Sequence, residues 1–121
     1  MLAYNKYIKD YIKPYEYPLK EIRNQKSVEE KIYVGTWNLD YTLALILISY
    51  FKCFKKNNIG YPADKTAEEW DAILDEIING LDFYLKYAKG EDNPKCLKAY
   101  KTIKRTFNLI GKHFPEFWWL L

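Results

Sequence analysis

The sequence predicts an all-α protein, a single helical bundle of four to five helices that spans residues 1–121. Three observations support this prediction. Apolar residues recur at intervals of three and four along most of the chain, which is the spacing of one helix face. Helix-start signals precede several of these stretches. No pair of alternating segments is present that could form a sheet. We expect the helices to assemble around a central apolar helix at about residues 37–56.

The composition is that of a globular domain. A chain of 121 residues can bury a core without disulfide bonds or a metal ion. Hydrophobic residues make up 49% and charged residues 29%, which excludes a disordered chain. The formal net charge of +3 is too small by itself to indicate nucleic-acid binding, which needs a concentrated basic face. We therefore expect no nucleic-acid partner.

The N-terminal part of the chain predicts short helices. Residues 2–13 show the helical spacing of tyrosine and isoleucine, and two prolines then interrupt the pattern. We expect this segment to dock on the protein's own core, and the alternative is a helix on a membrane surface. Between residues 19 and 34 the pattern fits a second short helix, a helix capped by Ser27, or a short strand at residues 32–34.

The segment from Tyr41 to Phe51 is almost continuously apolar. Gly35 ends whatever precedes it, and Thr36 or Asn38 can cap the helix that follows. Asp40 then lies in the first turn, where the helix dipole favours a carboxylate. A helix that is apolar on every side is enclosed by neighbouring helices or by a second subunit, so a homo-oligomer is expected. The segment is too short to cross a membrane, which takes about 20 apolar residues.

Two long amphipathic helices follow. Thr66-Ala67-Glu68-Glu69 is a capping box, which predicts a helix from this point to about Ala88. Asn93 as the cap and Pro94 at the first helical position predict a second helix, and Gly111 and Pro115 stop its pattern. The outer face of the first helix is acidic and the outer face of the second is basic. Either face is compatible with a solvated surface or with a contact between subunits.

The basic helix carries the candidate anion site. Its cations share one face without an intervening acid, which suits a phosphate-bearing ligand. The predicted anion- or nucleotide-binding residues on this helix are Lys98, Lys101, Lys104 and Arg105. Further candidates supply rings that stack on a base and polar groups that bind it, namely Trp37, Asn38, Asp40, Tyr61 and Trp70. The alternative is that each tryptophan closes one end of the core, because an antiparallel pair of helices places the two rings at opposite ends.

We expect a non-enzymatic protein with no catalytic residues, no cofactor and no metal site. Carboxylates on the acidic helix have the spacing for a divalent cation, but the only histidine, His113, lies in another segment. No nucleophile motif and no Gly-rich phosphate loop is present. Cys53 and Cys96 are expected to be thiols in a reducing compartment, and the sequence leaves open whether they pair.

The C-terminal tail is a third candidate surface. Phe117, Trp118 and Trp119 form an apolar stretch that would promote aggregation if it were left in water. It therefore either folds onto its own core or docks into another subunit or a partner protein. We assign these three residues to a possible interaction site.

The motifs Trp37-Asn38-Leu39-Asp40, Gly60-Tyr61-Pro62 and Glu68-Glu69-Trp70 resemble those of a group of small proteins encoded by bacteriophages and prophages. The resemblance covers about residues 33–84. Ile59 stands where the group's pattern has histidine, so a role for that imidazole is absent from this position. The resemblance implies a phage accessory protein that acts in the cytoplasm of the bacterial host, and it implies no particular chemistry.

These observations lead to one functional expectation and one alternative. The expected function is a counter-defence binding protein, which blocks a host defence factor or sequesters a small nucleotide-type signalling molecule. The alternative is a protein–protein interaction or virion-associated module without a small-molecule ligand. That module would use the acidic helix or the C-terminal tail.

Overall fold

The computed structural model describes residues 24–58, 60–90 and 94–118. These ranges contain four α-helices followed by a short 3-10 helix, and they contain no strand. The elements are α1 (Val28–Gly35), α2 (Leu39–Asn57), α3 (Ala67–Tyr87), α4 (Pro94–His113) and the 3-10 helix Phe114–Glu116. The prediction of an all-α helical bundle is confirmed. The helix predicted at residues 2–13 lies outside the described residues.

The segment before residue 35 forms helix α1, which is the predicted helix capped by Ser27. Ser27 is its N-cap, and the Ser27 hydroxyl accepts a hydrogen bond of 3.0 Å from the backbone N–H of Glu30. Residues 32–34 belong to this helix, so the alternative of a short strand there was wrong. Only Val34 among the apolar side chains described in α1 is buried. Helix α1 therefore contributes little to the core.

Helix α2 is the predicted central helix, and it begins two residues later than expected. Asn38 is its N-cap but makes no side-chain capping bond. One face of α2 is buried in the core through Ala44, Leu45, Ile48 and Phe51. The opposite face is exposed, and we name it the outer seam of α2, formed by Leu39, Leu43, Ile46 and Tyr50. The expectation that α2 is enclosed on all sides is therefore not met within the described residues.

Helix α3 occupies the middle position that the sequence assigned to α2. It packs against both α2 and α4. Its capping box forms as predicted, since the Thr66 hydroxyl accepts from the backbone N–H of Glu69 and the Glu69 carboxylate accepts from that of Thr66. The helix ends at Tyr87, one residue before the predicted end. Because α3 has the longest apolar stripe, it supplies more buried residues than any other described helix.

The core lies mainly between α2 and α3. Its largest fully buried side chains are Leu45, Ile48, Leu74, Ile77 and Leu81. Burying a side chain of this size stabilises the fold by about 1.5 to 3 kcal/mol. Helix α4 completes the core through Ala99 and Ile110. It ends at His113, between Gly111 and Pro115, the two residues predicted to stop its pattern.

Helices α3 and α4 approach each other closely at Gly80. A Cβ atom at this position would overlap the hydroxyl group of Thr106. Thr106 is buried, and its hydroxyl donates a hydrogen bond of 2.9 Å to the carbonyl oxygen of Thr102. Glycine inside a helix normally costs about 0.5 to 1 kcal/mol relative to alanine. The close approach of α4 explains why glycine is nevertheless found here.

No single helix among the described residues is long and apolar enough to cross a membrane. Helices α1 and α2 taken together meet that requirement by length and composition, but a sharp bend separates them.

Substituting Gly80 is predicted to test the close approach of α3 and α4. Overpacking a core usually costs about 1 to 3 kcal/mol, and the higher helix propensity of alanine recovers up to about 1 kcal/mol. We therefore expect Gly80→Ala to lower the free energy of unfolding by about 1 to 2 kcal/mol in urea denaturation. Gly111→Ala is the matched control, because no atom lies within 4 Å of a Cβ placed there. It is expected to be neutral or to stabilise. Equal effects of the two changes would contradict the packing.

Candidate functional site

The C-terminal segment folds back onto the end of the bundle through Phe117. The ring of Phe117 lies 4.9 Å from that of Phe51, 6.2 Å from that of Phe54 and 5.8 Å from that of Trp70. Aromatic pairs at these separations add about 0.5 to 1.5 kcal/mol beyond the area that they bury. Phe117, which the sequence assigned to an interaction site, therefore packs within its own chain.

A chain of polar contacts holds the same segment in place. The Nδ1 atom of buried His113 lies 2.8 Å from one carboxylate oxygen of Glu116. The other carboxylate oxygen lies 3.4 Å from the Nζ atom of Lys65, which also pairs with Asp64 at 3.2 Å. These contacts connect the end of α4 to the loop before α3. His113 thus has a structural role in fixing the C-terminal segment.

This folding creates an apolar groove between α2 and the C-terminal segment. The groove has a volume of about 270 Å³ and is lined by Leu47, Tyr50, Phe51, Phe54, Phe114 and Phe117, which together we name the aromatic groove. Within this lining, Phe51 is buried and Phe117 is half-buried. Tyr50 and Phe114 are 71% and 69% exposed, and the neighbouring Trp118 is 60% exposed. Trp119 lies outside the described residues. The aromatic groove is therefore an open site with exposed rings at its rim.

The contribution of α2 to this groove was not predicted from the sequence. Leu47, Tyr50 and Phe54 follow one another at intervals of three and four, which places them along one side of a helix. That spacing was visible in the sequence, but it was assigned to the enclosed core. Phe114 was not predicted as a site residue either. It lies in a 3-10 turn that follows directly after α4, outside the helical spacing of that helix.

The two predicted tryptophans lie in different environments. Trp70 is buried against Phe117 and His113. Trp37 lies in the turn between α1 and α2, is 62% exposed, and meets the ring of Tyr33 edge-on at 5.9 Å. Only Trp70 closes an end of the described core. Tyr61, in the loop before α3, is exposed. The predicted stacking residues therefore do not form one pocket.

Asp40 connects the beginning of α2 to the end of α3. One of its carboxylate oxygens accepts a hydrogen bond of 2.5 Å from the Tyr84 hydroxyl and another of 3.1 Å from Lys89. Partial burial opposes the charged carboxylate, but these hydrogen bonds outweigh it and hold the pKa of Asp40 below its usual value. Burial and the neighbouring Asp40 carboxylate raise the pKa of Tyr84. Asp40 is therefore engaged in holding two helices together.

The predicted basic site is only partly assembled. Lys98 and Arg105 line an open groove of about 590 Å³ between the two long helices, which we name the α3–α4 groove. Asp75 and Glu76 line the same groove. Lys101 and Lys104 are exposed and do not line it. The two acids lower the positive potential that a phosphate group would meet in this groove, although the ion pair with Lys55 partly neutralises Asp75.

Comparison with known proteins identifies no relative. The chain matches no protein-family model, no curated protein and no solved structure. The functional assignment therefore depends on the geometry of the described residues.

The cysteines and the acidic side chains are the remaining residue types with metal or thiol chemistry. Within the three described ranges, no group of three or more His, Cys, Asp or Glu side chains is placed to hold a metal ion. Cys53 and Cys96 are both free thiols. The Cys96 thiol and the Tyr100 hydroxyl donate to the carbonyl oxygen of Ala88, at 3.1 Å and 3.0 Å. They satisfy an acceptor that the end of α3 would otherwise leave unpaired.

The carboxylate of Asp40 is predicted to make stability depend on pH in the acidic range. Because its pKa is lower in the folded protein, its contribution is complete above the unfolded value of about 3.9 and is lost as pH falls through the folded value. The side chain is partly exposed to solvent, so we expect Asp40→Asn to cost only about 0.5 to 1 kcal/mol at pH 7. This difference from the wild type should shrink below about pH 4.

Urea denaturation at pH 7 and at pH 3 measures this difference. Asp71→Asn, at an exposed acid of α3, is the control and should change stability little at either pH. A cost of Asp40→Asn that is the same at both pH values would contradict the assigned role of the carboxylate.

Proposed function

We propose that this protein is a non-enzymatic binding protein that blocks a host factor by direct contact through the aromatic groove. The observation that carries the proposal is the groove itself, an apolar concavity whose lining includes the exposed rings of Tyr50 and Phe114. Exposed clusters of large apolar side chains mark interaction surfaces in proteins. Aromatic residues are also enriched among those that contribute most to binding energy.

The residues that line the groove indicate the chemistry of the partner. They are all apolar or aromatic. A partner segment that presents one large apolar side chain would match this lining.

The resemblance to phage-encoded proteins supports a counter-defence setting for this binding. In that setting the target is a host defence protein in the bacterial cytoplasm. Stoichiometric blocking requires a contact surface and no catalytic group, which suits a chain whose candidate site is an apolar groove.

Phe114 provides the most direct test of the proposed contact. The tagged chain is expressed in the bacterial host, the protein that co-purifies with it is identified, and the affinity is measured with both proteins pure. We expect Phe114→Asp to weaken binding at least about 30-fold, which corresponds to about 2 kcal/mol for a residue at the centre of an interface. The fold should be retained, because the Phe114 side chain is exposed.

Phe107→Asp is the matched control, because Phe107 is an exposed phenylalanine of α4 that does not line the groove. Its binding should equal that of the wild type. Undiminished binding by Phe114→Asp, or equal loss in both variants, would contradict the proposal. Removing residues 116–121 is not an equivalent test, because it also removes Phe117 from the core.

A second candidate function is the capture of a small nucleotide-type signal. The observation that favours it is the α3–α4 groove, where Lys98 and Arg105 are placed to meet phosphate oxygens. Asp75 and Glu76 oppose this binding, so a ligand with few phosphate groups fits better than one with many. The face of the Phe83 ring in the same groove is occupied by the ammonium group of Lys98 at 5.5 Å.

Titration calorimetry against a panel of cyclic and linear nucleotides tests this candidate. Arg105→Glu should weaken any binding at least about tenfold, because it replaces a groove cation by an acid. Lys101→Glu should change binding little, because Lys101 does not line the groove. No heat from any member of the panel would remove this candidate.

A further inference from the structure

Helix α2 has a second apolar face that the described core does not cover. In the outer seam, Leu39 is 50% exposed, Leu43 44%, Ile46 40% and Tyr50 71%. Intervals of four, three and four residues separate them, so they lie within about 60° of arc on the helix. The buried residues of α2 lie on the opposite side. Helix α2 is therefore suited to packing against two neighbours at once.

The spacing of the outer seam is that of a coiled-coil contact. Apolar residues that alternate at three and four positions form the narrow stripe along which two helices pack. The intervals of four, three and four residues read the same from either end of the helix. A two-fold axis between Leu43 and Ile46 would therefore place Leu43 against Ile46 of a second copy, and Leu39 against Tyr50. Such self-complementarity is required of a symmetric contact between identical subunits.

The helix dipoles favour an antiparallel arrangement of the two copies, because the N-terminal end of each α2 would lie beside the C-terminal end of the other. The charged side chains at the ends of α2 are already engaged within the chain. Asp40 binds Tyr84 and Lys89. Lys55 pairs with Asp75. The antiparallel preference therefore comes from the dipoles and from the symmetric spacing of the seam.

The outer seam alone is smaller than the contact of a stable dimer, so the proposed contact must also include exposed apolar residues of α1 and of the turn after it. A fully exposed aromatic side chain offers about 150 to 250 Å². At exposures of 62–71%, Tyr33, Trp37 and Tyr50 together offer roughly 300 to 500 Å². The exposed aliphatic residues are Val28, Ile32, Leu39, Leu43 and Ile46. Their addition brings the total toward the roughly 800 Å² per partner that stable interfaces bury.

We propose that a second copy of this chain covers the outer seam of α2 in an antiparallel, two-fold contact. The proposal does not rest on the proposed function, because Leu43 and Ile46 do not line the aromatic groove. Tyr50 lies on both surfaces and would be partly covered by the second copy, so the test uses variants at the other two positions.

The first measurement is the mass of the full-length wild-type chain in solution. Analytical ultracentrifugation should give twice the chain mass of 14.6 kDa at micromolar concentration. Ile46→Glu and Leu43→Lys should each raise the dimer dissociation constant at least about 100-fold, because each buries two unpaired charges per dimer. Circular dichroism verifies that each variant remains helical.

The second measurement tests the register of the contact. An equimolar mixture of Ile46→Glu and Leu43→Lys should form a heterodimer, because the antiparallel pairing places the glutamate of one chain against the lysine of the other. Leu97→Glu is the control, since Leu97 is an exposed residue of α4 outside the seam, and it should remain dimeric.

Three results would overturn the proposal. One is a wild-type chain that remains monomeric up to about 100 µM, a result that does not depend on how the variants fold. Another is a dimer that Ile46→Glu leaves intact. The third is a mixture of the two charged variants that fails to associate.

Discussion

The packing of the C-terminal segment on the bundle depends on the contact of Phe117 with Phe51, Phe54 and Trp70. This contact joins the C-terminal segment to α2 and α3 at once, and the Glu116 contacts with His113 and Lys65 hold the segment in the same orientation. Because Phe117 faces inward, Phe114 and Trp118 face solvent. The same contact therefore closes the core and creates the rim of the aromatic groove.

Local signals in the sequence predicted most of the helix boundaries. They did not predict which helices pack against each other. The Thr66 capping box and Pro94 fixed the beginnings of α3 and α4 to within a residue, because caps act through hydrogen bonds inside one turn. The apolar pattern of α2 predicted a helix enclosed on every side, but the described residues cover only one of its faces. A periodic pattern does not identify the neighbour of each face. Consequently α3, and not α2, has the middle position among the described helices.

The candidate site was harder to predict, because a periodic pattern gives the faces of a helix and not the rotation of those faces against neighbouring helices. Lys98 and Arg105 turn toward α3, whereas Lys101 and Lys104 on the same helix turn to solvent. The tail shows the same difficulty. Phe117 and Phe114 are three residues apart, and the 3-10 turn between them places one ring inside and leaves the other exposed.

The free energies of unfolding of Phe117→Ala and Phe114→Ala, compared by urea denaturation, test the central contact most directly. Removing a buried phenylalanine side chain costs about 3 to 5 kcal/mol, and partial exposure of Phe117 reduces this to about 2 to 3 kcal/mol. Phe114→Ala should cost less than about 0.5 kcal/mol, because the ring is mostly in solvent. Equal costs for the two changes, or no cost for Phe117→Ala, would contradict the account.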